Sequence, residues 1–461
     1  MEKYDLIIKG GRIVTEAGVF LKDIGIKEGK IAAIEDVLQK NGERVINAEG
    51  KYLFPGGIDV HTHLDLHVGQ TVSSDDFTTG TIAAACGGTT TIIDFVTQDR
   101  GESLKEAIEK RHREAEGKAV IDYSFHISPT VINDETLALI PSLIEDGYPS
   151  FKLYMTYDFR VNDGELIKVL VKTRDYGGLV CVHAENFYMI DYMVKEFKAT
   201  GKIEPRYHPL SRPPFVEGEA TGRAIKLARL VEAPIYIVHV TCRDSFVEVV
   251  KARDEGYPVM AETCPQYLFL SMEKYEEPDF QGAKYVLSPP LRSREHQHVL
   301  WDGLVKGKLQ VVATDHCPFN FKGQKELGKD FFGNIPSGLP GIETRLALLY
   351  GLGVARGKLS VRRFVEITST NPAKIFGLYP QKGTIAIGSD ADIVIIDPEK
   401  DVILTKGILH ENVDYTPYEN FTLKGFPVAT ISRGKLIVEN GRFIGALGSG
   451  KFLKRNRPVL M

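Results

Sequence analysis

Cysteine is scarce: Cys86, Cys181, Cys242, Cys264 and Cys317 are the only five in 461 residues. Their number is odd, they are widely spaced, and no CxxC pair occurs. This argues against a disulfide framework and against a Cys-rich structural zinc site. Buried free thiols in a reducing compartment are the expectation. Long apolar runs are missing as well. Nothing approaches the roughly 18 uncharged apolar residues of a membrane helix. The start, "MEKYDLIIKGGRIV", carries an early acid and too short an apolar run for a secretory leader. Neither sign of charge is in excess: the net charge is -4, the pI is near 6.3, and basic residues are dispersed apart from the tail "KFLKRNR". That leaves no electrostatic footprint for nucleic acid or an anionic membrane. Short internal repeats and low-complexity tracts are lacking too. The chain reads as cytoplasmic and globular, with 43% apolar residues to build a large core.

What is present has two textures. The first fifty residues hold short apolar runs punctuated by glycine ("YDLIIKG", "IGIKEG", "KIAAIEDV"), and the last ninety look alike ("ADIVIIDPE", "PVATISRG", "KLIVENGRFIG"). Between them lie eight strand candidates: "GIDVHTHL", "TTTIIDFV", "AVIDYSFHI", "SFKLYM", "LVCVHAE", "PIYIVHVT", "PVMAETC" and "LQVVATDH". They are nearly continuous apolar runs, as in parallel strands covered on both faces. Amphipathic stretches such as "SLKEAIEKRHREAEGK" and "ELIKVLVKTRDYGG" supply the crossovers that parallel pairing requires. The pattern predicts an α/β fold: a (β/α)8 barrel over 51–370, with a smaller β-sandwich domain built from 1–50 plus 371–461.

The chain has only 12 histidines, yet "GGIDVHTHLDL" places two of them one residue apart at a strand end. Side chains two apart on a strand share a face, so His61 and His63 both reach the barrel mouth. Other strands deliver Lys152, His183, His239 and Asp315 near their C-terminal ends, where barrel enzymes build active sites. A buried, unpaired lysine ammonium would be costly. Four His, one Asp and one Lys exceed one tetrahedral zinc and suit two divalent cations about 3.5–4 Å apart. If CO2 adds to the Lys152 amine, the resulting carbamate is an anion with two oxygens that can bridge both cations.

This set resembles the cyclic amidohydrolases, most closely the dihydropyrimidinase/hydantoinase group. The likeness runs through "GGIDVHTHLDL", "SFKLYMTY", "VHAEN", "IVHVT", "AETCPQYL", "LSPPLR", "ATDHCPF" and the C-terminal "NPAKIFGLYPQKGTIAIGSDADIVIID". It implies a binuclear site, usually zinc, with His61, His63, carboxylated Lys152 and Asp315 on one metal. His183, His239 and the carbamate would hold the other. It implies Tyr157 as the oxyanion donor and Ser288 as a residue whose backbone binds the substrate's amide edge. Two departures stand out. Ser337, in "IPSG", replaces the group's usual Asn, and "LDLHVG" replaces an "MPFG"-like stretch, which changes the lining at His67 and Val68. Dihydroorotases usually carry Arg where this chain has Asp65, which would repel an anionic substrate. An allantoinase stays open, as does a different class, a non-catalytic assembly protein of the same fold. Retention of all six ligand positions favours the enzyme. His67, His316 and Cys317 read as structural or loop residues.

The implied chemistry is hydrolysis of a small cyclic amide. Two cations acidify a water, Tyr157 and one metal stabilise the oxyanion, and Asp315 carries the proton to the leaving nitrogen. The product is an N-carbamoyl amino acid. The resemblance also implies a homotetramer, with the tail "GSGKFLKRNRPVL" as an arm around a neighbour; a solvated tail is the alternative.

Overall fold

The computed structural model describes residues 3–39 and 42–461. All eight expected barrel strands form: β1 (Gly57–Thr62), β2 (Thr89–Thr97), β3 (Asp122–Ser128), β4 (Ser150–Tyr154), β5 (Leu179–His183), β6 (Ile235–Ile237), β7 (Val259–Thr263) and β8 (Val311–Val312). They pair in parallel, each with its sequence neighbour. The ring closes through a bridge between Thr62 and His316, where His63 N–H donates to the His316 carbonyl at 2.8 Å. β8 is short because a side chain takes over its hydrogen bonds. The Thr314 N–H and hydroxyl both donate to the Asp59 carboxylate, at 3.1 and 2.6 Å.

Helices cover the outside for legible reasons. "LKEAIEKRHREA" forms Leu104–Ala115, where Ser103 and Glu106 make a reciprocal capping box. Leu104, Ala107, Arg111 and Ala115 face inward at helical spacing. Arg111 tolerates burial because its guanidinium pairs with the Asp94 carboxylate and the Leu64 carbonyl. The helix Asp163–Tyr176 repeats the device with Asn162 and Glu165, and stops at Gly177 in the left-handed conformation, φ 78°.

The expected sandwich is one continuous nine-stranded mixed sheet from both chain ends. Its seam is Tyr52–Pro55, parallel to Tyr4–Thr15 and antiparallel to Ile393–Ile403. The strand Lys30–Glu35 returns beside Asp390 through a bridge. The fold encloses Ile8, Ile24, Ile26, Leu53, Ile393, Ile395 and Ile431.

Two segments cross the expected boundaries. Tyr52–Pro55 completes the terminal sheet, although it falls within 51–370. Ala373, Ile375, Phe376 and Leu378 pack with Ile58, Val60, Tyr236 and Met260, although they fall within 371–461. The reason is apolar closure: the strand interiors need a floor, and the short helix Asn371–Ile375 helps supply it.

Over residues 449–459 the tail is anchored to its own chain, although Lys451, Lys454, Asn456 and Arg457 stay exposed. It lies across its own barrel base. Phe452 bridges Tyr123, Arg455 N–H donates to the Gly147 carbonyl at 3.1 Å, and Val459 N–H to the Lys374 carbonyl at 3.0 Å. The buried Arg455 guanidinium donates to Ser124 Oγ at 2.9 Å and Ser150 Oγ at 2.7 Å. The five cysteines are free and buried. No helix among the described residues is long and apolar enough to cross a membrane.

Candidate active site

The mouth is built from strand ends. His61 and His63 leave β1 on one face, and their Nε2 atoms lie 3.1 and 3.2 Å from the same Asp315 oxygen. Across the mouth, His183 Nδ1 and His239 Nε2 face each other at 2.9 Å. Lys152, from β4, is fully buried between them, and its Nζ has no hydrogen-bond partner among the described residues. The amine sits over the rings of Phe95 and Tyr154, 5.0 and 5.1 Å from their centroids.

Backbone geometry aims these groups. His239, Asp315 and Tyr157 all adopt left-handed φ, at 38°, 53° and 70°. Such angles are disfavoured for side-chain-bearing residues and cluster where a site over-determines the backbone. Here they end the strand ladder and turn each side chain inward.

A further layer of carboxylates fixes the imidazoles. His61 Nδ1 donates to Glu262 Oε1 at 2.5 Å, and Glu262 Oε2 accepts from the Tyr236 hydroxyl at 2.8 Å. His183 Nε2 donates to Glu185 Oε2 at 2.8 Å, and Arg212 pairs with the same oxygen. Each ring thereby turns its other nitrogen toward the mouth. Sequence reading missed both glutamates. Glu262 had a signal, an acid inside the apolar run "PVMAETC"; Glu185 lies two residues after His183.

Burial sets the protonation states. It lowers the pKa of His63, His183 and His239, keeping these imidazoles neutral with lone pairs available. His61 is the exception: against burial and Lys152, the carboxylates of Asp315 and Glu262 lift it. Burial likewise opposes ionisation of Asp315, but the imidazoles of His61 and His63 hold its carboxyl well below the usual range. The Lys152 amine is pushed down to about 8 by burial, with Asp315 and Glu262 opposing.

Tyr157, Ser288 and Ser337 join these six around one cavity of about 230 Å3. Ser288 Oγ donates to Ser337 Oγ at 3.3 Å. Leu66, Val68, Tyr154 and Phe159 add apolar wall. His67 and Cys317, read as loop or structural residues, also line it. His316 does not. It is buried behind the site, with Nε2 on the Asp75 carboxylate at 3.0 Å and Nδ1 accepting from Gly341 N–H at 3.1 Å.

The donor set fits divalent cations. Three neutral imidazoles, the His61 ring, an ionised Asp315 and an amine with no hydrogen-bond partner among the described residues converge where a bare ammonium would be costly. His61, His63 and Asp315 bring ligand atoms within 4.8 Å of one another.

Residues 52–437 match the amidohydrolase family. The chain is 49% identical over 452 residues to D-hydantoinase of Geobacillus stearothermophilus, covering 97% of this chain and 96% of that one. It is 50% identical over 458 residues to D-hydantoinase of Ralstonia pickettii, covering 98% and 99%. The crystal structure of dihydropyrimidinase from Brevibacillus agri NCHU1002 superposes with a TM-score of 0.98 at 48% identity, covering all of both chains. The strand-end ligands, the closed barrel and these full-length likenesses agree: the chain belongs to the amidohydrolase family, in its hydantoinase and dihydropyrimidinase group.

Proposed function

We propose that this protein hydrolyses the ring amide of dihydropyrimidines or 5-substituted hydantoins, giving N-carbamoyl amino acids. The observation that carries the reading is Lys152: buried, unpartnered, and set where four imidazoles and Asp315 converge. His61, His63 and Asp315 would hold one divalent cation, most simply zinc, and His183 and His239 the second. A carbamate on Lys152 would bridge them. Two bound cations supply Lewis acidity, which makes water nucleophilic near neutral pH and polarises a carbonyl.

The chain's own groups do the rest. Asp315, held ionised, accepts the proton of the attacking water at its free oxygen and passes it to the leaving ring nitrogen. The C–N bond breaks and the carbonyl becomes a carboxylate. Tyr157, whose pKa burial raises, keeps its proton and donates it as a hydrogen bond to the developing oxyanion. Ser288 and Ser337 meet the amide edge. The wall of Leu66, Tyr154 and Phe159 suits an apolar ring substituent.

Dihydroorotate is disfavoured, but not through Asp65. Asp65 does not line the cavity; it faces a separate hollow beside Leu66 and His67. What disfavours an anionic ring is the lining itself, which contains no arginine and only one lysine, Lys152. Given the two D-hydantoinases at 49 and 50% identity, the D-hand of 5-substituted hydantoins is the preferred substrate in this reading. A homotetramer is the assembly proposed with it.

The test is a panel of dihydrouracil, both hands of 5-substituted hydantoins, allantoin and dihydroorotate, with divalent metal and bicarbonate supplied. Ring opening of dihydrouracil or D-hydantoins, with N-carbamoyl products, is expected. Turnover of allantoin or dihydroorotate alone, or of none, overturns the reading.

A further inference from the structure

Outside the site, one buried cation lacks a role in the chemistry above. Lys325 is fully buried, yet among the described residues it has no carboxylate partner. Its Nζ donates to three backbone carbonyls: Val286 at 2.8 Å, Pro336 at 2.6 Å and Gly338 at 2.8 Å. Three acceptors match the three hydrogens of an ammonium. Such a group is costly to bury, so its contacts must hold something that regular pairing does not.

What they hold is specific. Val286 lies two residues before Ser288, and Pro336 and Gly338 flank Ser337. Neither segment belongs to a strand. Among the described residues, the direct hydrogen bonds between them are Gly338 N–H to the Val286 carbonyl at 3.0 Å and Ser288 Oγ to Ser337 Oγ at 3.3 Å. Gly338 is also hemmed in from the far side. At its φ of 152°, an added Cβ would come within 2.2 Å of the Cys317 carbonyl oxygen.

Peptide geometry adds direction. In a planar trans peptide, C=O and N–H point opposite ways. Fixing the Pro336 carbonyl on Lys325 therefore turns the Ser337 N–H away from Lys325. That N–H takes no partner within the chain among the described residues.

We propose that Lys325 is a positioning residue: its ammonium ties 286–288 and 336–338 into one clamp and leaves the Ser337 N–H free for the carbonyl edge of a cyclic amide. The substrate in this statement rests on the function proposed above; the tether does not.

The experiment uses full-length, metal-loaded enzyme with Lys325→Met, which keeps volume, and Lys325→Ala. Three readouts separate positioning from mere stability: metal content, the KM-against-kcat split on the substrate that wild type turns over best, and amide hydrogen exchange. The expected result is unchanged metal content and a KM raised about tenfold or more, equivalent to about 1.4 kcal/mol of lost binding. kcat should fall less, and exchange should quicken at 286–289 and 335–339. n-Propylammonium, which replaces the missing atoms, should lower the KM of the Ala variant. A folded, metal-loaded Met variant with wild-type KM and unchanged exchange at both segments overturns the proposal. If wild type opens no cyclic amide, the functional reading falls, and the exchange pattern alone decides the tether.

Discussion

Lys152 carries the sharpest expectation at the scale of one residue. Four neutral imidazoles and one carboxylate cannot balance two divalent cations, and an unmodified amine adds no negative charge. Lys152→Ala should therefore lose metal and activity together. Lys152→Arg should do the same, because guanidinium stays protonated and forms no such carbamate under ordinary conditions. A short carboxylic acid should partly restore both in the Ala variant. Elemental analysis finding two metals in an active Lys152→Arg enzyme would defeat the assignment. Glu185 makes a pH statement. Against burial, Arg212 and His183 hold its pKa down to about 2, from an ordinary 4.5. A depressed carboxylate contributes its full stability above the unfolded pKa and loses it as pH falls toward the folded one. Between about pH 4.5 and 2 the contribution, on the order of 3 kcal/mol, should fade, and Glu185→Gln should flatten that part of the stability curve. Urea midpoints measured across this window check it; equal slopes for both proteins would contradict it. His61, His63 and Lys152 were legible in the sequence because strand periodicity alone places them at the mouth. Glu262 and Glu185 were not, because their role depends on which ring nitrogen each one meets across neighbouring strands.

Elements were legible where apolar runs were long, and less so where side chains replace the backbone ladder. All eight barrel strands could be read, but not that Asp59 would cut the last to two residues. The boundary segments Tyr52–Pro55 and Asn371–Ile375 were misplaced for a related reason: each is apolar enough for either unit, and only the partner surface decides. One buried hub joins the two units. Lys382 Nζ lies 2.6 Å from Asp122, at the start of β3, and 2.6 and 3.0 Å from Asp392 and Asp390 beside the terminal sheet. Burial opposes its charge, but these carboxylates raise its pKa well above that of a free lysine. Lys382→Met should strand Asp392 and leave Asp122 with Arg433 as its ion-pair partner, costing about 3–5 kcal/mol. The deficit should shrink in acid, where carboxylates accept protons. A loss within about 0.5 kcal/mol at neutral pH, the range of an ordinary surface change, would show the hub to be dispensable.

At the scale of the whole molecule, both chain ends serve the barrel. The tail's mixture of basic and apolar residues, expected to form an arm around a neighbour, also straps its own barrel. Phe452 packs against Phe125 and His112 of its own chain, with ring centroids 5.6 and 4.6 Å away, and Arg455 reaches Ser150, two residues before Lys152. Deleting 451–461 should therefore lower the melting temperature and loosen metal retention, even in protein kept at one assembly state. A truncated enzyme that melts and holds metal like the full chain would show the strap to be idle.

The filled floor has a consequence for traffic. With Phe376, Leu378 and Tyr236 packed beneath the ligands, the site is a cul-de-sac. Ring and ring-opened product both reach the ligands from the mouth side. A departing N-carbamoyl acid and an arriving ring need the same ligands and the same wall, so accumulated product should compete with substrate as a rival occupant of one vestibule.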